Sequence, residues 1–344
     1  MHALSDAVTK PPPLPPRYRP EALVGEGATG DVWRALDTVA ETHVAVKVVH
    51  RNLALLPRFR ARFAREVSIS ASVVHPRVVP VLDRGRLSDG RPFVVLALAR
   101  HGSLEDLFRR RPPLSVGVRI LDHVLEALAV LHARGIVHQD LKPGNVLLHG
   151  DPARPDAWVA DLGAAGALTE IAMDRRGIAG TPAWMAPEQR GGRAQELGPW
   201  TDLYPVGLML AEMLGARRLE MDTARRPPTF PVALPKDTPR RLVELLRVLL
   251  ERDPRQRYDR AADARLALAE AAQGVDPARS LSDASPSLLQ RTTTFPEWLL
   301  EDAKAHVAVG QPVALGPGRI PAWNRGSLPA MPRMPPPSLP AWVD

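Results

Sequence analysis

Cysteine is absent from this 344-residue chain, which excludes disulfides and thiolate metal sites. The cytoplasm is the compartment this composition fits best. Long apolar runs are missing as well. The segment FVVLALA (93–99) is only seven residues long, and VGLMLAEMLGA (206–216) is interrupted by Glu212. A membrane span needs roughly 18–20 apolar residues, so none is expected. The start, MHALSDAVTKPPPLPPRYRP, lacks an apolar signal core, and export is not expected. Aromatic residues make up only 5%. The net charge is +7, yet the arginines are spread beside acids and few aromatics are available to stack on bases. No nucleic-acid partner is expected. Lysine is scarce too. Only five of the 45 basic residues are Lys (10, 47, 142, 236 and 304). Each lysine is therefore informative, because this chain normally writes positive charge as arginine.

Hydrophobic residues make up 45% and charged ones 24%, the balance of a globular protein. Residues 1–17 are rich in proline and read as disordered or extended. Within them PPLPPR (12–17) fits a P-x-x-P-x-R ligand pattern, but it reads first as a stiff spacer. From 18 to 98 the pattern is strand-like, with ALVGEG, GDVWRALD and HVAVKVVH separated by glycine. A helix is predicted over 58–74, ending before His75-Pro76. From about 103 the chain reads as helical, in SLEDLFRR, VGVRILDHVLEALAVLHARG, DLYPVGLMLAEMLG, PRRLVELLRVLLERDP and AADARLALAEAAQG. Strands first and helices after indicate an α+β fold in two lobes. Residues 273–344 shift to Pro, Ser, Thr and Arg and read as a mostly disordered tail. Within it, TTTFPEWLLEDAKAHV carries a capping box, Thr294 with Glu297. A short amphipathic helix over 294–307, able to dock on the lobes or on a partner, is expected there.

Several motifs point to phosphate chemistry. VGEGATGDV (24–32) places Gly25, Gly27 and Gly30 where two strands turn and backbone N–H groups approach phosphates. Taken alone, it also fits an ordinary glycine hairpin. VAVK (44–47) ends in Lys47, whose amine on a buried strand needs an anion. Glu66 on the following helix is the natural partner. HQDLKPGN (138–145) sets Asp140, Lys142 and Asn145 within six residues. Asp140 can accept a proton from an attacking hydroxyl. Lys142 can neutralise a transferring phosphoryl group, and Asn145 can offer an oxygen to a divalent metal. A polar β-turn around Pro143-Gly144 would use the same letters. Asp161, in VADLGAAG, lies after a strand-like run and before glycines, where it can hold a metal or form an Asx turn. Each structural alternative is tolerable singly. They do not explain all these elements together, in one order.

Together these residues resemble the eukaryotic-like serine/threonine protein kinases over about residues 18–272. The resemblance implies a two-lobed α+β fold, with a β-rich N-lobe (about 18–98) and a helical C-lobe (about 99–272). It also implies Mg²⁺ and ATP as cofactors and proteins as substrates. Gly25, Gly27 and Gly30 would form the loop over ATP, with Val24, Val32 and Ala45 beside the nucleotide. Leu96 would guard the adenine pocket, and Ala97 to Ala99 would form the hinge. Lys47 would hold phosphates and pair with Glu66. Asp140 would be the catalytic base, Lys142 its helper, and Asn145 and Asp161 the metal ligands. His138, Thr181, Glu188, Asp202 and Arg257 would support them, Glu188 of APE pairing with Arg257.

Two departures from the family pattern stand out. DLG replaces D-F-G, with Leu162 still an apolar plug. HQD replaces H-R-D, so Gln139 removes an arginine that many members use to bind a phosphorylated activation loop. Thr169 is the only obvious switch hydroxyl there, and Arg175 and Arg176 are the substitutes on the loop itself. The expectation is a kinase not gated at Thr169. The rival reading is a pseudokinase or scaffold that binds nucleotide and partners. Against it stands the presence of Lys47, Asp140, Asn145 and Asp161 together.

Overall fold

A computed structural model describes residues 11–162, 182–190, 197–215, 234 and 238–273. The activation-segment residues Thr169, Arg175, Arg176 and Thr181 lie outside the described residues. So does the tail from 274 on, with its expected helix at 294–307.

The first part is a five-stranded antiparallel sheet, in the order β1-β2-β3-β5-β4. Its strands are β1 (Tyr18–Glu26), β2 (Gly30–Asp37), β3 (Thr42–Val49), β4 (Val81–Arg86) and β5 (Pro92–Ala97). Alternation along β3 and β5 sorts the side chains onto two faces. Val44, Val46, Val48, Phe93 and Val95 join Tyr18, Ala35 and Leu87 in a buried cluster on the outer face. On the inner face, Val94 and Leu96 meet Phe59, Phe63 and Val67 of helix α2 (Pro57–Ser72). A four-residue helix, α1 (Arg51–Ala54), precedes α2. Pro57 sits in the first turn of α2, where a missing N–H costs nothing.

Residues 11–17 correct the expectation of a disordered start. Pro12 is buried, and Leu14 packs on the outer cluster. Arg17 donates to both oxygens of Asp37, with Nη2 to Oδ2 at 2.8 Å. The Asp37 carboxylate also caps the N–H groups of Val39 and Ala40. Prolines lose little entropy on ordering, so one apolar anchor and one ion pair are enough to fix the segment. The arginine of PPLPPR is thus engaged within its own chain.

The second part is built around α4 (Leu114–Ala133), which packs against α6 (Pro199–Met213), α8 (Ala261–Ala272) and β7 (Arg154–Val159). The other helices are α3 (Leu104–Arg109), α5 (Pro187–Arg190) and α7 (Arg240–Leu249). Ser103 and Asp106 form a capping box on α3. Most of α4 is buried because neighbours surround it on several sides.

A hairpin of β6 (Val146–Asp151) and β7 interrupts the helical region, its second strand being the strand-like run read before Asp161. It is the joint of the molecule. The Val79 N–H donates to the Val159 carbonyl (3.0 Å), and the Val159 N–H to the Arg77 carbonyl (2.8 Å). Leu148 exchanges backbone bonds with Gly102 and His101. Among the described residues no helix is long and apolar enough to cross a membrane.

Candidate active site

The loop from Gly135 to Asn145 leaves α4 and is pinned by α6. Asp202, in the first turn of α6, accepts from the N–H groups of His138 and Gln139, both at 2.8 Å. His132, at the end of α4, reaches the same carboxylate at 2.8 Å. Asp202 is buried, so these bonds offset the cost of placing its charge there. His138 is wholly buried. Its Nδ1 accepts from the Asp140 N–H (3.3 Å), so its Nε2 is the protonated nitrogen and donates to the Ala160 carbonyl (2.9 Å). His138 therefore ties this loop to the backbone just before Asp161.

Asp140 sits at the centre of the loop's chemistry. Lys142 Nζ lies 2.7 Å from its Oδ2. Asn145 Nδ2 donates to the Asp140 carbonyl at 2.8 Å and to Oδ2 at 3.3 Å. Two donors hold Oδ2, and Oδ1 has no hydrogen-bond partner among the described residues. Gln139, just before it, has φ of 64°. A non-glycine residue held there costs about 1–3 kcal/mol, which the bonds from Asp202 help to offset.

Asp161 also has a left-handed backbone, φ 58°. That conformation brings its Oδ1 to 2.7 Å from Lys47 Nζ. Burial alone would raise the Asp161 pKa. The charge and hydrogen bond of Lys47, with Lys142 and His138 further off, hold it below the usual carboxylate value.

Glu66 departs from expectation. It makes its ion pair with Arg62, one turn earlier on α2, at 3.4 Å, and is not within ion-pair distance of Lys47. Burial pushes the Glu66 carboxyl up to about 7, against the pull of Arg62 and Lys47. A carboxyl that is hard to ionise competes poorly for Lys47 with Asp161, whose carboxylate is held in its charged form. Thr29, Lys47, Glu66, Leu96, Asp161 and Leu162 nevertheless line one cleft. Leu162 is buried in the core, as an apolar plug would be.

The register places Val32 opposite Lys47 and Ala45 opposite Leu96, so all four side chains share the inner face. Val24 lies at a bulge of β1 and is exposed. Ala97 differs from them. It pairs with Val44, so its side chain is on the outer face, and its N–H goes to the Pro80 carbonyl. Ala99 follows β5 and is half-buried.

A Cβ on Gly30 would collide with the Val48 carbonyl, so strand approach demands glycine there. A Cβ on Gly25 would meet only Val32 at 3.7 Å, an ordinary contact. The fold itself does not require that glycine. Gly27 donates its N–H to the Gly30 carbonyl (3.1 Å), and its own carbonyl meets His50 Nε2 at 2.8 Å.

The oxygens available for a metal suit Mg²⁺. Both side-chain bonds of Asn145 use Nδ2, which leaves its Oδ1 as a further acceptor. One amide and one carboxylate oxygen fit an ion that keeps water and takes phosphate oxygens as further ligands. No cluster of three or more acidic, histidine or cysteine ligands occurs among the described residues, so an all-protein cage is not what they form.

Glu188 and Arg257 pair as expected, Nη1 to Oε1 at 2.8 Å and Nη2 to Oε2 at 2.9 Å, both fully buried. Arg257 also donates to the carbonyls of Glu251 and Trp200 and lies 5.0 Å from the Tyr204 ring centroid. Thr181 lies outside the described residues. Sequence reading missed His132, His50 and Gln189. Of these, only His132 carried a signal, six residues before His138 at a helix end.

The protein kinase domain family matches residues 18–267 of the chain. The serine/threonine-protein kinase pkn3 of Myxococcus xanthus is 34% identical over 288 residues, covering 78% of this chain and 52% of that protein. PknA of Mycobacterium tuberculosis, also a serine/threonine-protein kinase, is 31% identical over 258 residues, covering 70% and 58%. This chain thus spans just over half the length of these relatives. The crystal structure of the M. tuberculosis PknI kinase domain superposes with a TM-score of 0.59 at 25% identity, covering 78% of this chain and all of that one. With the geometry described above, these likenesses lead to one conclusion: the chain belongs to the protein kinase family, among the bacterial-type serine/threonine kinases.

Proposed function

We propose that the chain transfers the γ-phosphoryl group of ATP to serine and threonine hydroxyls of proteins, its own included. The observation that carries this reading is the Asp140 carboxylate, held at Oδ2 by Lys142 and Asn145, with Oδ1 unbonded among the described residues. The hydroxyl proton passes to Oδ1 as the substrate oxygen bonds to the γ-phosphorus and the bond to the β-phosphate oxygen breaks, releasing ADP. Lys142 sits where it neutralises charge on the transferring group. Lys47 supplies an ammonium at the floor of the cleft for the remaining phosphates. Asn145 and Asp161 would hold Mg²⁺, which when bound neutralises phosphate charge. Val32, Ala45 and Leu96 offer the apolar face that an adenine ring needs.

The test is labelled ATP with magnesium and a generic protein substrate. Asp140→Asn should lower kcat by a factor on the order of 10² while nucleotide affinity stays close to wild type. Turnover by that variant at the wild-type rate would remove Asp140 from its role. A wild-type protein that binds ATP and labels nothing would leave the scaffold reading in its place.

A further inference from the structure

Gln139 forms the centre of a three-residue γ-turn. The Asp140 N–H donates to the His138 carbonyl at 2.9 Å, and Gln139 has φ of 64°. The γ-turn with positive φ is rare and strained. It needs holding from outside, and it directly precedes the proposed base. Asp202 holds the Gln139 N–H from α6. The Gln139 carbonyl, part of the same peptide as the Asp140 N–H, is held by Gln189 Nε2 at 2.6 Å.

Gln189 lies in α5, beside Glu188, whose buried pair with Arg257 anchors that helix. The second end of its amide, Oε1, accepts from the N–H of Ala186 at 2.9 Å. One partner is a donor and the other an acceptor, which settles which atom is oxygen. Among side chains of this length only a carboxamide satisfies both at once without having to take up a proton. Gln139, Asp140, Trp184, Gln189 and Asp202 all line one small pocket.

We propose that Gln189 is a positioning residue. It fixes the peptide plane ahead of Asp140 and makes that orientation depend on the seating of residues 182–190. The proposal rests on the reading of Asp140 as the base. Ala186 is fully buried, so its N–H is presented from a fixed segment. Displacing that segment would withdraw the amide, and the strained turn would relax.

Two variants test it in the full chain. Gln189→Met keeps volume and removes both hydrogen bonds. It should lower kcat at least about tenfold, as small misplacements of reacting groups do, with KM for ATP nearly unchanged. Gln189→Glu keeps the acceptor for Ala186 but faces the Gln139 carbonyl with lone pairs, unless it is protonated and becomes a donor. Its kcat relative to wild type should therefore rise several-fold from about pH 8 to about pH 6. A residue that only filled space would give no such pH profile. Hydrogen exchange reads the same tie without turnover. Residues 136–142 should exchange faster in Gln189→Met, with 204–213 unchanged. Wild-type kcat and exchange in Gln189→Met, or a pH-independent ratio for Gln189→Glu, would overturn the proposal. If Gln189→Met does not fold, the Gln189→Glu ratio decides. A wild type without transferase activity would sink the kinase reading, and the exchange comparison would still judge Gln189.

Discussion

At the scale of single residues, Glu66 links burial to pH. Its folded-state pKa is about 7, against 4.5 for the ordinary carboxyl. Below pH 4.5 both folded and unfolded states hold the proton. Between 4.5 and 7 the unfolded chain releases it while the folded one keeps it, so stability falls as pH rises, by roughly 3 kcal/mol in all. Above 7 the loss is complete and the curve is flat. Glu66→Gln should abolish that slope, so urea midpoints measured from about pH 5 to 8 should diverge from wild type as pH rises. Parallel curves would place the burial cost elsewhere. The same residue marks a limit of sequence reading. Lys47, Asp140, Asn145 and Asp161 could be singled out because each sits in a short local motif whose letters carry its chemistry. The pairing of Lys47 could not be, since the choice between Glu66 and Asp161 depends on burial and on one positive φ. Gln189 and His50 were invisible because their partners are backbone groups from distant segments.

At the scale of elements, the strands and helices with clear periodicity appear where expected. The α2 helix runs Pro57–Ser72 against a predicted 58–74. Of the β6–β7 hairpin only the strand-like run before Asp161 was read, because Pro155 inside that strand weakens it as a sequence signal and β6 lies within a stretch of loop motifs. The activation segment between Asp161 and Glu188 raises a separate expectation. Gln139 brings a neutral amide where a phosphate at Thr169 would want an arginine. Phosphatase-treated wild type and Thr169→Ala should both keep their transfer rate within a few-fold. A loss of tenfold in both, about 1.4 kcal/mol of barrier, would mean that such a latch exists. Arg175 and Arg176 would then be the next residues to change.

At the scale of the whole molecule, the core of the second part closes on itself through α4, α6, α7 and α8. Every element of the site described here lies before Gln273. A chain ending at Gln273 should therefore fold with an unchanged melting temperature and phosphorylate a generic substrate at the full rate. A truncated chain that aggregates would make the tail part of the domain. The strap formed by Leu14 and Arg17 has a consequence of another kind. It fastens residues 11–17 to the outer face of the sheet, and Lys47 and Leu96 lie on the opposite face. A chain cut to begin at Pro11 and carrying a fluorescent reporter, an affinity handle or a surface tether there would present it from the back of the sheet, with its five strands between the attachment and the mouth of the cleft. Such a protein could be immobilised by that end with its cleft turned toward solution.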